Sequence, residues 1–230
     1  MTRIKICGVR TVEHALVAAE AGAQYVGVIC WPGSKRYASP ERMREITNAL
    51  RLAFDYQRRP LVTGVFVNEP AANINALADD CALDCVQLSG DEPWDACRAI
   101  GAPVLKALRV PADRPEAELL AVLGRETPAL HARAGRVLME ALVAGQFGGT
   151  GQTANWELAA AAACRFPILL SGGLTPVNVA AAVRAVHPWG VDVASGVETD
   201  GVQDAGKIRA FIQAVRQADA EARVQPAGVR

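Results

Sequence analysis

Eight short apolar runs alternate with eight amphipathic stretches along 230 residues, and glycine-rich segments follow several of the runs. This alternation predicts an α/β protein: a single (β/α)8 or TIM barrel over residues 1–217. A chain of this length suits one such barrel, and an apolar share of 51% can fill its core.

The predicted strands are 3–7, 24–30, 61–67, 84–88, 103–108, 136–139, 167–170 and 191–194. Most are apolar on both faces, as in Tyr25-Val26-Gly27-Val28-Ile29 and Leu61-Val62-Thr63-Gly64-Val65-Phe66-Val67. Parallel strands read this way because helices cover them outside and a packed core fills them inside. The predicted helices are 11–22, 40–52, 70–80, 92–100, 113–123, 154–164, 176–186 and 204–217. Thr11 with Glu13, Ser39-Pro40-Glu41 and Thr175-Pro176 are helix starts, and Gly22 and Gly101 sit where helices end. The stretch 111–135 carries Pro111, Pro115 and Pro128, which blur its boundaries. The tail 218–230 lacks a sustained apolar face and is expected to fray.

Twenty-four basic residues balance 24 acidic ones, without a basic stripe. Such a chain is not expected to partner nucleic acid or an acidic membrane. Six cysteines form no C-x-x-C pair, and Cys81 and Cys85 are wrongly spaced for a zinc knuckle. No apolar leader opens the chain and no long uncharged span follows. A reducing cytoplasm is the expected location.

In a barrel, the segments after the strands converge on the face that carries chemistry. Cys7-Gly8 ends the first strand there, and Glu140 follows the apolar run Val137-Leu138-Met139. Read as a residue, Cys7 is either a small buried hydrophobe or a thiol poised for chemistry, with Lys5 on the same side of the strand. Glu140 is either a structural ion-pair partner or a proton-transfer group. Ser171-Gly172-Gly173-Leu174-Thr175 and Ala194-Ser195-Gly196-Val197 follow the last two strands, where this fold holds phosphate. Arg36 is either a fork for a substrate carboxylate or a solvated loop residue. His14, His131 and His187 lie away from strand ends, and Trp94 and Trp156 are read as packing.

Taken together, certain segments resemble the phosphoribosylanthranilate isomerases over roughly residues 3–217. They are Lys5-Ile6-Cys7-Gly8, Ser34-Lys35-Arg36-Tyr37-Ala38-Ser39-Pro40, Gly64-Val65-Phe66-Val67-Asn68, Val86-Gln87-Leu88-Ser89-Gly90, Gly148-Gly149-Thr150-Gly151 with Trp156, Ser171-Gly172-Gly173-Leu174-Thr175-Pro176 and Val191-Asp192-Val193-Ala194-Ser195-Gly196-Val197-Glu198. The resemblance implies an Amadori rearrangement in tryptophan biosynthesis, from an aminoaldose phosphate to an aminoketose phosphate. An acid protonates the furanose oxygen and opens the ring to a Schiff base; a base then removes the C2 proton. The substrate nitrogen serves as electron sink, so no metal and no organic cofactor is implied. By position, Cys7 is the general base, Arg36 holds the anthranilate carboxylate and Asp192 positions the substrate. Gly172, Gly173, Ser195 and Gly196 hold the phosphate. The implied partner is a small phosphorylated substrate, and the implied assembly is a monomer or homodimer.

Two positions depart from the family pattern. Glu140 stands where the family has its acid, an aspartate, and Ser89 stands where it usually has histidine. The carboxyl is kept as general acid but extended by one methylene. Two other readings accommodate the departures: a related barrel that isomerises another phosphosugar, and a barrel that binds phosphometabolites without turnover.

Overall fold

The structure, a computed structural model, describes residues 1–141 and 155–224. Eight parallel strands close into a barrel in sequence order: β1 (Arg3–Cys7), β2 (Tyr25–Ile29), β3 (Leu61–Phe66), β4 (Cys85–Leu88), β5 (Val104–Val110), β6 (Arg136–Ala141), β7 (Ile168–Leu170) and β8 (Gly190–Val193). Closure comes from β1, which pairs with β2 on one side and β8 on the other. The helices outside are α1 (Val12–Ala21), α2 (Pro40–Ala53), α3 (Ala71–Asp80), α4 (Glu116–His131), α5 (Trp156–Ala163), α6 (Val179–Val186) and α7 (Ala205–Val224). No described helix is long and apolar enough to cross a membrane.

Local chemistry explains the boundaries. Thr11 and Ser39 cap α1 and α2 by accepting the His14 and Arg42 backbone N–H groups. Gly22 ends α1 in the left-handed region, at φ 97°. Four expectations need correction. The stretch 92–100 is a 3-10 helix, Trp94–Ala99, because the six residues between Pro93 and Ile100 are too few to nucleate an α-helix. Helix α4 runs past Pro128 to His131, since Leu119, Leu123 and Leu130 form one buried face whose loss would cost more than a missing hydrogen bond in the last turn. Helix α6 begins at Val179 rather than Pro176: Thr175 and Asn178 close a reciprocal turn ahead of it. The fourth concerns the tail. Helix α7 continues to Val224, with Ala218 buried against the core.

The continuation is held from the other end of the chain. Asp219 accepts the Thr2 backbone N–H at 2.9 Å and the Thr2 hydroxyl at 2.7 Å. Arg216 donates to the carbonyls of Thr2 and Gly22 at 2.7 and 3.0 Å. These partners are far apart in sequence, so no local pattern announced them. A hairpin after β8 was also unforeseen: β9 (Glu198–Thr199) pairs antiparallel with β10 (Val202–Gln203). Its turn, Asp200-Gly201, has φ of 52° and 76°, the positive pair that a two-residue Asp-Gly link favours.

The main core lies between strands and helices, and Trp94 and Trp156 pack against it. A smaller apolar cluster inside the barrel comprises Leu105, Ala107, Leu138 and Leu169, with Trp189 against it. It closes the floor, so the polar interior residues gather toward the carboxyl ends of the strands. Asp219→Ala is expected to lower the free energy of unfolding by about 2 kcal/mol, and a chain ended after residue 217 to lose more. Urea unfolding of both variants measures this; unchanged midpoints would show that the end of α7 does not anchor the chain.

Candidate active site

A cavity open to solvent occupies the carboxyl-end mouth of the barrel. Cys7, Arg36, Glu140, Asp192, Gly172, Gly173, Ser195 and Gly196 all line it, and none of the three histidines does. The segment 148–151, which carries part of the family resemblance, lies outside the described residues, as do residues 142–147.

Its centre is an ion pair. Strand register sets Lys5 opposite Asp192, and Lys5 Nζ donates to Asp192 Oδ1 at 2.9 Å with the lysine fully buried. Ser171 donates its hydroxyl to the other carboxylate oxygen at 3.1 Å. Burial alone would discharge Lys5, but the Asp192 carboxylate and the Cys7 sulfur together outweigh burial and keep it an ammonium. Cys7 sits beside the pair. A Cβ placed on Gly27 would lie 2.9 Å from Cys7 Sγ and 3.0 Å from Lys5 Nζ, so only glycine on β2 leaves both groups their space. Lys5 does pull the Cys7 thiol toward ionisation, as the strand alternation suggested. Burial is the larger effect, however, and the thiol ends above its ordinary range.

Glu140 belongs to β6 rather than following it, two residues beyond Leu138 in the floor cluster. Its side chain lines the same cavity as the thiol, with β7 and β8 between their strands. It is buried, and its Oε1 has no hydrogen-bond partner among the described residues. Burial first, and the nearby Asp192 charge second, push its carboxyl up to about 7, with Arg109, Lys5 and Lys106 opposing. A glutamate in this state carries a proton near neutral pH.

Arg36 is not a solvated loop residue. It is 7% exposed, and its Nε and Nη2 meet the two oxygens of Glu198 at 2.5 and 2.8 Å. The bidentate pair uses two of five guanidinium donors. The hydrocarbon stem of Arg36 crosses Gly8, where a Cβ would fall 2.6 Å from its Cδ and where φ is +77°. Glycine after Cys7 is thus required twice over. Burial works against the Glu198 charge, but the Arg36 fork holds its carboxyl below the usual range.

The loops after β7 and β8 meet at the far wall. Gly172 and Gly173 both have positive φ, 97° and 62°, and a Cβ on Gly196 would run into the Leu174 carbonyl oxygen. Backbone is thereby brought to the cavity surface without side chains in the way. On β4, Gln87 Nε2 donates to Ser89 Oγ at 2.8 Å, so the serine that replaces the family histidine is tied to its neighbour. Ser171 and Glu198 lie in the segments counted after the last two strands and Lys5 beside the thiol, but the sequence assigns no role to these three, nor to Gln87 or Gln203. Lys5 and Glu198 had signals: a charged residue inside an apolar strand, and one directly after the glycine loop of β8.

The sequence profile of the family described as N-(5'phosphoribosyl)anthranilate (PRA) isomerase matches residues 4–214. The chain is 48% identical over 221 residues to the N-(5'-phosphoribosyl)anthranilate isomerase of Roseiflexus sp. (strain RS-1), covering 95% of this chain and 99% of that protein. It is 39% identical over 221 residues to the one from Dehalococcoides mccartyi, covering 95% and 98%. Among solved structures, phosphoribosyl anthranilate isomerase from Thermotoga maritima superposes with a TM-score of 0.78 at 36% identity, covering 94% of this chain and all of that one. A phosphoribosyl anthranilate isomerase in complex with reduced 1-(o-carboxyphenylamino)-1-deoxyribulose 5-phosphate matches with a TM-score of 0.75 at 35% identity, covering 94% and 100%. The Thermotoga maritima protein is described as dimeric. By profile, by full-length relatives and by fold, the chain belongs to the N-(5'-phosphoribosyl)anthranilate isomerase family, enzymes of tryptophan biosynthesis.

Proposed function

We propose that the cavity isomerises N-(5'-phosphoribosyl)anthranilate with Glu140 as general acid and Cys7 as general base. Glu140 delivers its proton to the furanose ring oxygen, the C1–O bond breaks, and the anthranilate nitrogen takes up the electron deficiency as a Schiff base. The Cys7 thiolate then removes the C2 proton, giving an enolamine that tautomerises to the aminoketose. The substrate nitrogen is the electron sink, so the reading calls for no cofactor. One observation carries it: Glu140 is buried, in no ion pair among the described residues, and raised to about 7, across the barrel mouth from the thiol. The extra methylene relative to aspartate is compatible with this role because the side chain reaches from within β6 into the cavity.

Holding the substrate needs an anion site at each end. Arg36 supplies charge-assisted donors for the anthranilate carboxylate. The turns at Gly172-Gly173 and Ser195-Gly196 bring backbone N–H groups to the phosphate. Asp192, fixed by Lys5 and Ser171, is placed to accept from a sugar hydroxyl. The relative solved with a ligand carrying both a carboxylate and a phosphate supports two such ends. Six unpaired thiols support a reducing compartment, the cytoplasm.

Cys7→Ala and Glu140→Gln are each expected to lower kcat by about 10²-fold or more, while Glu140→Asp retains turnover. Steady-state kinetics decide, and wild-type rates in both of the first two variants would remove the assigned roles. The active form needs Cys7 ionised and Glu140 protonated. Because the thiol titrates above the carboxyl, kcat/KM rises with pH up to about 7, stays level, and falls only above the thiol's elevated pKa. Glu140→Asp is expected to move the lower limb and leave the upper one.

Stability gives an independent check. The folded protein keeps the Glu140 proton between the ordinary carboxyl value of 4.5 and about 7, where the unfolded chain has lost it. Stability from this site is therefore present at low pH and lost as pH rises through that window. Glu140→Gln abolishes the loss, so the variant is expected to match wild type at pH 4 and exceed it at pH 8 by on the order of 3 kcal/mol. Urea unfolding at the two pH values measures the difference, and equal stabilities at pH 8 would mean that the carboxyl is not raised.

A further inference from the structure

The β9–β10 hairpin, which follows β8, reaches the end of the neighbouring β1 and the Arg36 side chain. Gln203 on β10 donates from Nε2 to the Cys7 carbonyl oxygen at 3.0 Å, across 196 residues of sequence, with both groups buried. Glu198 on β9 grips the Arg36 guanidinium in a two-point fork. Register pairs these two residues with each other, Gln203 opposite Glu198, so one short ladder carries both contacts. Among the described residues, the buried Gln203 amide oxygen has no partner. An unsatisfied polar atom costs stability, and an apolar side chain would fill the space without that cost. The amide earns its place only by the bond that it makes to Cys7.

We infer that this hairpin is a positioning device, in which Gln203 sets the backbone that aims the Cys7 thiol and Glu198 sets the fork that receives the substrate carboxylate. The inference rests on the roles proposed above for Cys7 and Arg36. Gln203 touches the peptide that links Cys7 to Gly8, and Gly8 in turn has Arg36's stem lying on it. Fixing that carbonyl fixes the direction of the Cα–Cβ bond that carries the thiol. Neither hairpin residue is a catalytic residue; each acts through another. The two kinetic constants should therefore separate. A misaimed base lowers kcat with substrate binding intact, whereas a loosened fork weakens a contact made equally in ground and transition states and raises KM. The turn Asp200-Gly201, which both handles share, fixes their spacing.

The test is steady-state kinetics on Gln203→Met, Gln203→Glu and Glu198→Gln in the full chain, with alkylation of Cys7 by iodoacetamide followed by mass spectrometry across pH. Gln203→Met is expected to lower kcat by about tenfold to 10²-fold with KM within about twofold, and to change the Cys7 alkylation rate. Gln203→Glu, a near-isostere that keeps the shape and replaces the donor with a carboxylate, is expected to do the same and covers the case in which methionine fails to fold. Glu198→Gln is expected to raise KM by about tenfold and leave kcat and Cys7 alkylation near wild type. Folded variants whose constants stay unchanged, or in which kcat and KM move together by similar factors, would overturn the inference and leave the hairpin a merely structural tie. Cys7→Ala, run alongside, separates the two levels: if it stays active, the base assignment fails; if it is inactive while the Gln203 variants match wild type, only the positioning role fails.

Discussion

The barrel closes on a buried ion pair. Lys5 and Asp192 stand opposite each other on β1 and β8, the first and last strands, and meet only when the sheet has become a ring. An ammonium without exposure to water is tolerable only if paired, and removing one partner of such a pair typically costs about 3–5 kcal/mol. The pair therefore ties the site to the fold: the charge that stabilises closure is the same charge that borders the thiol and orients Asp192 in the cavity. Gly27 is part of the same constraint, because any side chain there would take the volume in which Cys7 and Lys5 sit.

Strand and helix alternation made the architecture legible, because period and apolar runs are local properties. Cys7, Glu140 and the two glycine loops were legible for a related reason: once a barrel is assumed, strand ends are positions that can be counted along the chain. What stayed hidden depended on contacts distant in sequence. The Gln203–Cys7 and Thr2–Asp219 bonds join residues near opposite ends of the chain. The extension of α4 past Pro128 reflects tertiary burial overriding propensity. Strand alternation puts Lys5 beside the thiol, but spacing alone does not reveal that burial outweighs it. The Asp200-Gly201 pair is a turn signal, but two-residue strands leave almost no apolar pattern around it to mark a hairpin.

The replacement of aspartate by glutamate on β6 looks conservative in charge and costly in reach. Burial changes the balance. A carboxyl in this position is useful as an acid only while it holds a proton, and the pressure toward the neutral form comes from desolvation together with Asp192 across the interior. A longer side chain at the same strand position still lines the cavity. Ser89, where a histidine is usual, leaves a smaller group that accepts from Gln87 rather than a ring that titrates. The wall between β4 and β6 is thereby less charged, which favours a protonated Glu140 further.

The distribution of partners around the cavity separates groups that hold from groups that change. Lys5 is paired with Asp192 and Arg36 with Glu198, each at hydrogen-bond distance. A paired charge in a poorly hydrated site resists titration, because losing a proton on one side strands the charge on the other. Such groups are suited to fixing a hydroxyl or a carboxylate through turnover. Cys7 and Glu140 differ: among the described residues neither forms a salt bridge, and burial pushes both toward their neutral forms. Glu140 can gain or lose a proton without breaking an ion pair, and Cys7 is drawn toward its ionised form by the neighbouring Lys5. A reaction that must deliver a proton to a ring oxygen and take one from the adjacent carbon needs two groups of this kind, facing each other, within walls of the other kind. The barrel mouth has that composition: the Lys5–Asp192 pair borders both the thiol and the acid, and the Arg36–Glu198 pair lies on the thiol's side.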